Sequence, residues 1–228
     1  MAQGKLIVFE GTDGSGKGTQ FDMLIDEIKR RDLKVETMDY PRYSSSLFGE
    51  MAGKMLRGDF GSTDVLSSEL AVLPFACDRW LMKDSIHKWL SEGKIVLSNR
   101  YTASSAVYQA AKLPIDRQSA FIRWVYSLEQ EVIGLPKEDR VVFLSMPITI
   151  SEKLVEQKGP REYLGGKKKD MYEENDAIQV TVHRLYQEIA SSQPNWSTIS
   201  CTDSSGVLRK KEEIQKDILD DLVKNAVL

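Results

Sequence analysis

Three stretches of the chain are apolar without interruption: Leu6–Phe9, Ile95–Leu97 and Val141–Leu144. Side chains of a strand alternate between its two faces, so an unbroken apolar run predicts a strand buried on both, as in the middle of a parallel sheet. Val35–Tyr40 and Trp196–Ser200 are weaker candidates of the same kind. Helix-length segments lie between them, at Lys17–Arg31, Ser67–Leu90, Arg117–Glu131 and Tyr172–Ala190. Strands separated by helices imply right-handed crossovers, hence an α/β fold with a mainly parallel sheet flanked by helices on both faces. No internal repeat is visible. The one shift in composition is Lys158–Lys169, where Gly159, Pro160, Gly165 and Gly166 mix with five basic residues. It reads as a mobile surface segment within one domain spanning 1–228, not as a domain boundary.

Composition narrows the partners. The 228 residues are 41% hydrophobic and 29% charged, enough to bury a sizeable core in one unit. Thirty-one Lys and Arg against thirty-four Asp and Glu leave a net charge of -3. That balance offers no overall field for polymeric nucleic acid or an acidic membrane, so any anion site must be local. Cys77 and Cys201 lack the paired spacing of a zinc site, and Cys77, in an apolar run, is expected to be a small buried residue. The chain opens with no charged leader, and no span approaches roughly 18 apolar residues, which leads to the expectation of a cytoplasmic protein.

The local anion site is Gly11-Thr12-Asp13-Gly14-Ser15-Gly16-Lys17, a G-x-x-x-x-G-K pattern. It follows the strand Leu6–Phe9 and opens an amphipathic helix carrying Leu24, Ile25 and Ile28 on one face. Its glycines let backbone N–H groups point inward, the helix adds its positive end, and Lys17 reaches terminal phosphates. Gly11, Gly14, Ser15, Gly16, Lys17, Gly18 and Thr19 are therefore the expected cradle of a nucleoside triphosphate. The Ser or Thr that usually follows the lysine as a magnesium ligand is Gly18, with Thr19 next. Mg2+ keeps several waters and binds largely through phosphates, so it remains the expected cofactor, with less direct coordination by protein.

The chain from Phe9 through this loop to Gln20, together with Tyr40-Pro41-Arg42-Tyr43, Phe75-Ala76-Cys77-Asp78-Arg79-Trp80, Asn99-Arg100-Tyr101, Ser104-Ser105, Tyr108-Gln109 and Lys169-Asp170-Met171-Tyr172-Glu173, resembles the thymidylate kinases of the nucleoside monophosphate kinase family. The resemblance runs over nearly the whole chain. It implies a five-stranded parallel sheet, transfer of the terminal phosphate of ATP to dTMP, and a homodimer.

By that resemblance Asp13 accepts a hydrogen bond from the acceptor's 3'-hydroxyl, although a turn-forming Asp is the alternative. Arg42, after a strand and a proline, is assigned to the acceptor phosphate, and Arg100, at the end of the strand Ile95–Leu97, to the space between donor and acceptor. Phe75 and Arg79 share a helix face, the family's place for thymine, though an aromatic at that spacing also suits a core. Ser105 and Gln109 approach the base, and the ring of Tyr108 fills the space of a ribose 2'-hydroxyl or else packs in the core. The arginine that some family members carry inside the phosphate loop is replaced by Gly14, which moves the expected cation to a lid, about 158–171, with Arg161 first and Lys167, Lys168 and Lys169 behind it. The expected catalytic groups are thus Lys17, Arg100 and Arg161. Asn99 stands where the family usually has Asp; like Thr19, it is a candidate for metal contact through water only. Two rivals stay open: a kinase for another nucleotide or a deoxynucleoside, and a nucleotide-binding regulator weak in catalysis, suggested by Gly18 and Asn99.

Overall fold

The computed structural model describes residues 3–63, 65–157, 159, 161–166 and 168–228. The strands are β1 (Lys5–Glu10), β2 (Val35–Asp39), β3 (Ile95–Asn99), β4 (Arg140–Ser145) and β5 (Trp196–Ser200). All pair in parallel, in the order β2-β3-β1-β4-β5. From β1 the chain first builds β2 and β3 on one side and then crosses to β4 on the other, which leaves a crevice above the C-terminal end of β1, the usual ligand position in open α/β sheets.

The unbroken apolar runs serve two cores at once. Leu6, Val8, Val96, Val141 and Phe143 point into one layer, against Val72, Val107, Val182 and Tyr186. Ile7, Phe9, Leu97, Val142 and Leu144 point into the other, against Phe21, Leu24 and Ile28 of α1 (Lys17–Arg30) and Ile214, Ile218 and Leu222 of α9 (Lys211–Lys224).

The helices depart from their expected extents in informative ways. The segment expected as one helix, Ser67–Leu90, is two: α3 (Ser68–Trp80) and α4 (Lys83–Ser91), split by a tight turn at Leu81 and Met82. The turn lets Ile86 fall into the sheet core while Trp80 and Leu81 stay exposed. The segment expected as Arg117–Glu131 begins two residues earlier, as α6 (Ile115–Tyr126), and widens into a π-helical turn, Ser127–Ile133. The segment expected from Tyr172 starts at Asp176 as α8 (Asp176–Ser192), where the Asn175 side chain caps the N–H of Ile178, because residues 171–174 form turns around Asp170. Between them lie α2 (Leu47–Arg57), α5 (Thr102–Ala110) and α7 (Ile148–Glu156). Cys77 is half-buried on the outer side of α3 rather than in the core, and no helix among the described residues is long and apolar enough to cross a membrane.

Candidate active site

The phosphate loop joins β1 to α1 at the head of the crevice. Gly14 has φ +79° and lies against α7: a Cβ there would come within 2.3 Å of the Ser151 carbonyl oxygen and 3.0 Å of Val155. A side chain is excluded on both counts, so the loop cannot carry its own arginine. Lys17 donates to the carbonyls of Gly11 and Thr12, at 2.9 Å each, and so folds over its own loop. Two buried hydroxyls, on Thr12 and Ser15, have no hydrogen-bond partner. Unsatisfied polar atoms gathered in one loop favour a polar ligand. A Cβ on Gly18 would meet nothing within 4 Å, and Thr19 is exposed beside it, so the start of α1 is open toward the crevice.

Asp13 faces the other way. Its Oδ1 accepts from Arg100 at 2.7 Å and its Oδ2 from the Tyr108 hydroxyl at 2.8 Å, while the Arg100 guanidinium lies 5.5 Å from the centre of the Tyr108 ring. Arg100 adopts a left-handed backbone, φ +65°, which is strained for a residue with a side chain. What offsets the strain is Glu10 at the end of β1. Its buried carboxylate accepts from the backbone N–H of Tyr101 (2.9 Å) and of Ser104 (3.2 Å), and from the hydroxyls of Ser104 (2.6 Å) and Tyr186 (2.8 Å). It satisfies donors that the start of α5 would otherwise leave unpaired.

Beyond Asp13 lies a cleft. Seven of the eight residues expected at the acceptor line it: Asp13, Phe75, Arg79, Arg100, Ser105, Tyr108 and Gln109. Tyr40, Tyr43, Tyr163, Tyr172 and Asp170 line it as well, with Pro41, Leu56 and Ser104. Arg79 is fully buried, and its guanidinium grips the Glu129 carboxylate at 2.7 and 2.5 Å and the Ser105 hydroxyl at 2.6 Å. A buried arginine without such a partner would cost several kcal/mol, so the π-helical turn that points Glu129 inward is what lets Arg79 sit here. Gln109 donates to the Tyr172 hydroxyl at 2.8 Å, and Tyr172 meets the Tyr108 ring edge-on.

Arg42 is the exception. It does not line the cleft, and its side chain and backbone are held by Asp78 of α3.

These features place a phosphate loop and a polar, aromatic cleft back to back, joined through one aspartate. The family model for thymidylate kinase matches residues 9–214. The chain belongs to the thymidylate kinase family. It is 31% identical over 187 residues to the thymidylate kinase of Mycobacterium tuberculosis, covering 82% of this chain and 86% of that one. It is 28% identical over 222 residues to the thymidylate kinase of Plasmodium falciparum, covering 97% and 91%. A solved thymidylate kinase from Candida albicans matches with a TM-score of 0.75 and 22% identity, over 100% of this chain and 94% of that one, a likeness that bears on the fold alone.

In this thymidylate kinase family member the segment around Tyr163 meets the cleft through stacking. The rings of Tyr43 and Tyr163 lie parallel with centroids 3.7 Å apart, and Arg57 donates to the Tyr163 carbonyl at 2.8 Å. Arg161 is engaged by Glu173, at 2.7 and 2.8 Å, and by the Tyr163 hydroxyl at 2.9 Å. Lys168 is exposed, Lys169 stands 3.8 Å from Glu156, and Lys167 lies outside the described residues. The loop Thr202–Ser205 turns around Asp203; just before it, the Cys201 thiol sits 3.7 Å from the Ser15 carbonyl oxygen. Sequence reasoning gave no role to Glu10, Glu129 or Asp170. The first two carried a signal: a charge at the end of an apolar strand, and the acid that a buried arginine requires.

Asp170 has a measurable consequence. Burial first, then the like charges of Glu173 and Asp13, raise its carboxyl to about 8. A carboxyl whose folded pKa exceeds its unfolded value of about 3.9 binds more proton when folded, so it lowers stability progressively as pH rises between the two. Thermal unfolding of the ligand-free protein between pH 5 and 8 should therefore lose more Tm in the wild type than in Asp170→Asn. Parallel profiles would remove Asp170 as the source.

Proposed function

We propose that the chain transfers the terminal phosphate of ATP to dTMP, giving dTDP and ADP, in the cleft that Asp13 joins to the phosphate loop. That juxtaposition carries the reading: a donor cradle and an acceptor cleft share one residue, and Arg100 lies between them. Lys17 turns from its own loop carbonyls to the phosphates of ATP, supported by N–H groups of Gly11, Gly14, Ser15, Gly16, Gly18 and Thr19. Arg100 holds the acceptor phosphate in line, and Arg42 reaches that phosphate by leaving Asp78. Phe75, Arg79, Ser105 and Gln109 hold thymine, Asp13 takes the 3'-hydroxyl, and Tyr108 occupies the place of a 2'-hydroxyl. The acceptor oxygen is already anionic, so positioning and charge neutralisation are sufficient and no general base is needed.

Arg161 supplies the remaining positive charge by exchanging Glu173 for the migrating phosphate. Mg2+ bound with ATP would neutralise phosphate charge. Among the described residues no group of three or more His, Cys, Asp or Glu could cage a metal, which suits an ion held mainly by phosphates and water. The open space at Gly18, the exposed Thr19 and the unpartnered, buried Oδ1 of Asn99 fit that role.

The protein would work in the cytoplasm as one domain, 1–228, with its lid at about 158–171. It would pair as a homodimer through α3, whose Leu70, Leu73 and Trp80, with Leu81 just past its end, form an exposed stripe beside Cys77. A monomer mass by light scattering at micromolar concentration would rule the pairing out.

A coupled assay of ADP release across dTMP, dUMP, UMP, CMP, AMP and thymidine should show dTMP preferred, and Lys17→Ala should lower turnover by about 100-fold or more. Preference for AMP or a nucleoside would replace the acceptor, and binding of ATP and dTMP without any dTDP would leave a regulator.

A further inference from the structure

The end of β3 carries Asn99 where the family usually carries Asp, but the acidic charge is not missing from this edge of the sheet. In the β2–β3 register the partner of Asn99 is Asp39, the last residue of β2. The Asn99 amide donates to Asp39 Oδ1 at 2.9 Å. Adjacent strands lie about 4.8 Å apart, so carboxylates at both positions would repel each other in contact. One Asp and one Asn turn that repulsion into a hydrogen bond and keep a single negative charge, moved over by one strand.

Three observations orient that charge toward the nucleotide. Asp39 is exposed at the C-terminal edge of the sheet, the edge that also holds the phosphate loop. Partial burial raises the Asp39 carboxyl above its ordinary value, and the Asn99 amide and then the charges of Arg100 and Lys17 oppose that rise, so Asp39 shares their surroundings. With its amide nitrogen given to Asp39, Asn99 keeps a buried Oδ1 that has no donor, a group that native proteins normally satisfy with water or ligand.

We propose that Asp39, positioned by Asn99, provides the carboxylate that orders the water shell of the divalent cation bound with ATP. This rests on the reading above that Mg2+ accompanies the nucleotide. Asp39 accepts hydrogen bonds from cation-bound water, and the Asn99 carbonyl accepts from the same shell. Both are positioning residues: neither touches the reacting atoms. The absent hydroxyl at Gly18 is consistent with a cation that this chain contacts chiefly through water.

The test is calorimetric binding of ADP to the full chain in Mg2+ and in EDTA, which involves no turnover. For the wild type, Mg2+ should strengthen ADP binding. Asp39→Asn should cut that strengthening by about tenfold while leaving affinity in EDTA near the wild-type value, because outer partners of a bound metal typically contribute on that scale. The transposed variant, Asp39→Asn with Asn99→Asp, restores one carboxylate and one amide across the same register and should recover the strengthening to within about twofold. It also keeps the pair intact should the single variant fold poorly. An unchanged Mg2+ effect in Asp39→Asn, or no recovery on transposition, would overturn the assignment alone. A wild type whose ADP affinity ignores Mg2+ would overturn the metal reading along with it.

Discussion

The two hydrogen bonds on Asp13, from Arg100 and from Tyr108, make one site out of two structures that the chain builds separately. Asp13 belongs to the loop that follows β1, whereas Arg100 belongs to the junction of β3 and α5 and Tyr108 to the last turn of α5. The bond from Arg100 depends on the left-handed backbone of that residue, which is held from β1 through Glu10, a carboxylate that also reaches α8 by way of Tyr186. The parallel register of β1 and β3 thus determines more than a sheet. It decides which side chains stand beside the glycine-rich loop.

Charge in the cleft is arranged so that burial is matched almost residue by residue. Arg79 has Glu129, Arg100 has Asp13, and Arg161 has Glu173. A buried ion pair gains little over a well-packed apolar contact, yet losing one partner is expensive, so such pairs hold geometry more than they add stability. In the reading proposed above, the partners of Arg100 and Arg161 are placeholders that an incoming phosphate, a stronger acceptor, would displace, since the cost of desolvating the arginine has already been met in the folded chain. Arg79 differs, because its second contact, Ser105, is itself a wall of the cleft.

Much of the fold was legible in the sequence because a doubly covered sheet demands unbroken apolar runs: Leu6–Phe9, Ile95–Leu97 and Val141–Leu144 all lie within strands. The break between α3 and α4 was not legible, since no Gly or Pro marks Leu81 and Met82; the packing of Ile86 decides it. Nor was the π-helical turn at Ser127–Ile133, whose wider winding has no composition of its own. The phosphate loop and most cleft residues were marked by local pattern and by resemblance. Glu129 and Glu10 were given no role, because the roles depend on partners 50 and about 90 residues away in the chain. The placing of Arg42 against Asp78, and of Arg161 against Glu173, is a matter of side-chain partners that spacing alone does not encode.

The central claim is that Asp13 couples the phosphate loop to the acceptor cleft. A double-mutant cycle with Asp13→Asn and Tyr108→Phe, read as dTMP affinity by calorimetry, measures that coupling most directly. The account predicts an interaction energy of about 1 kcal/mol or more between the two sites. Effects that add to within about 0.3 kcal/mol would contradict it, and would make the loop and the cleft neighbours without a functional link.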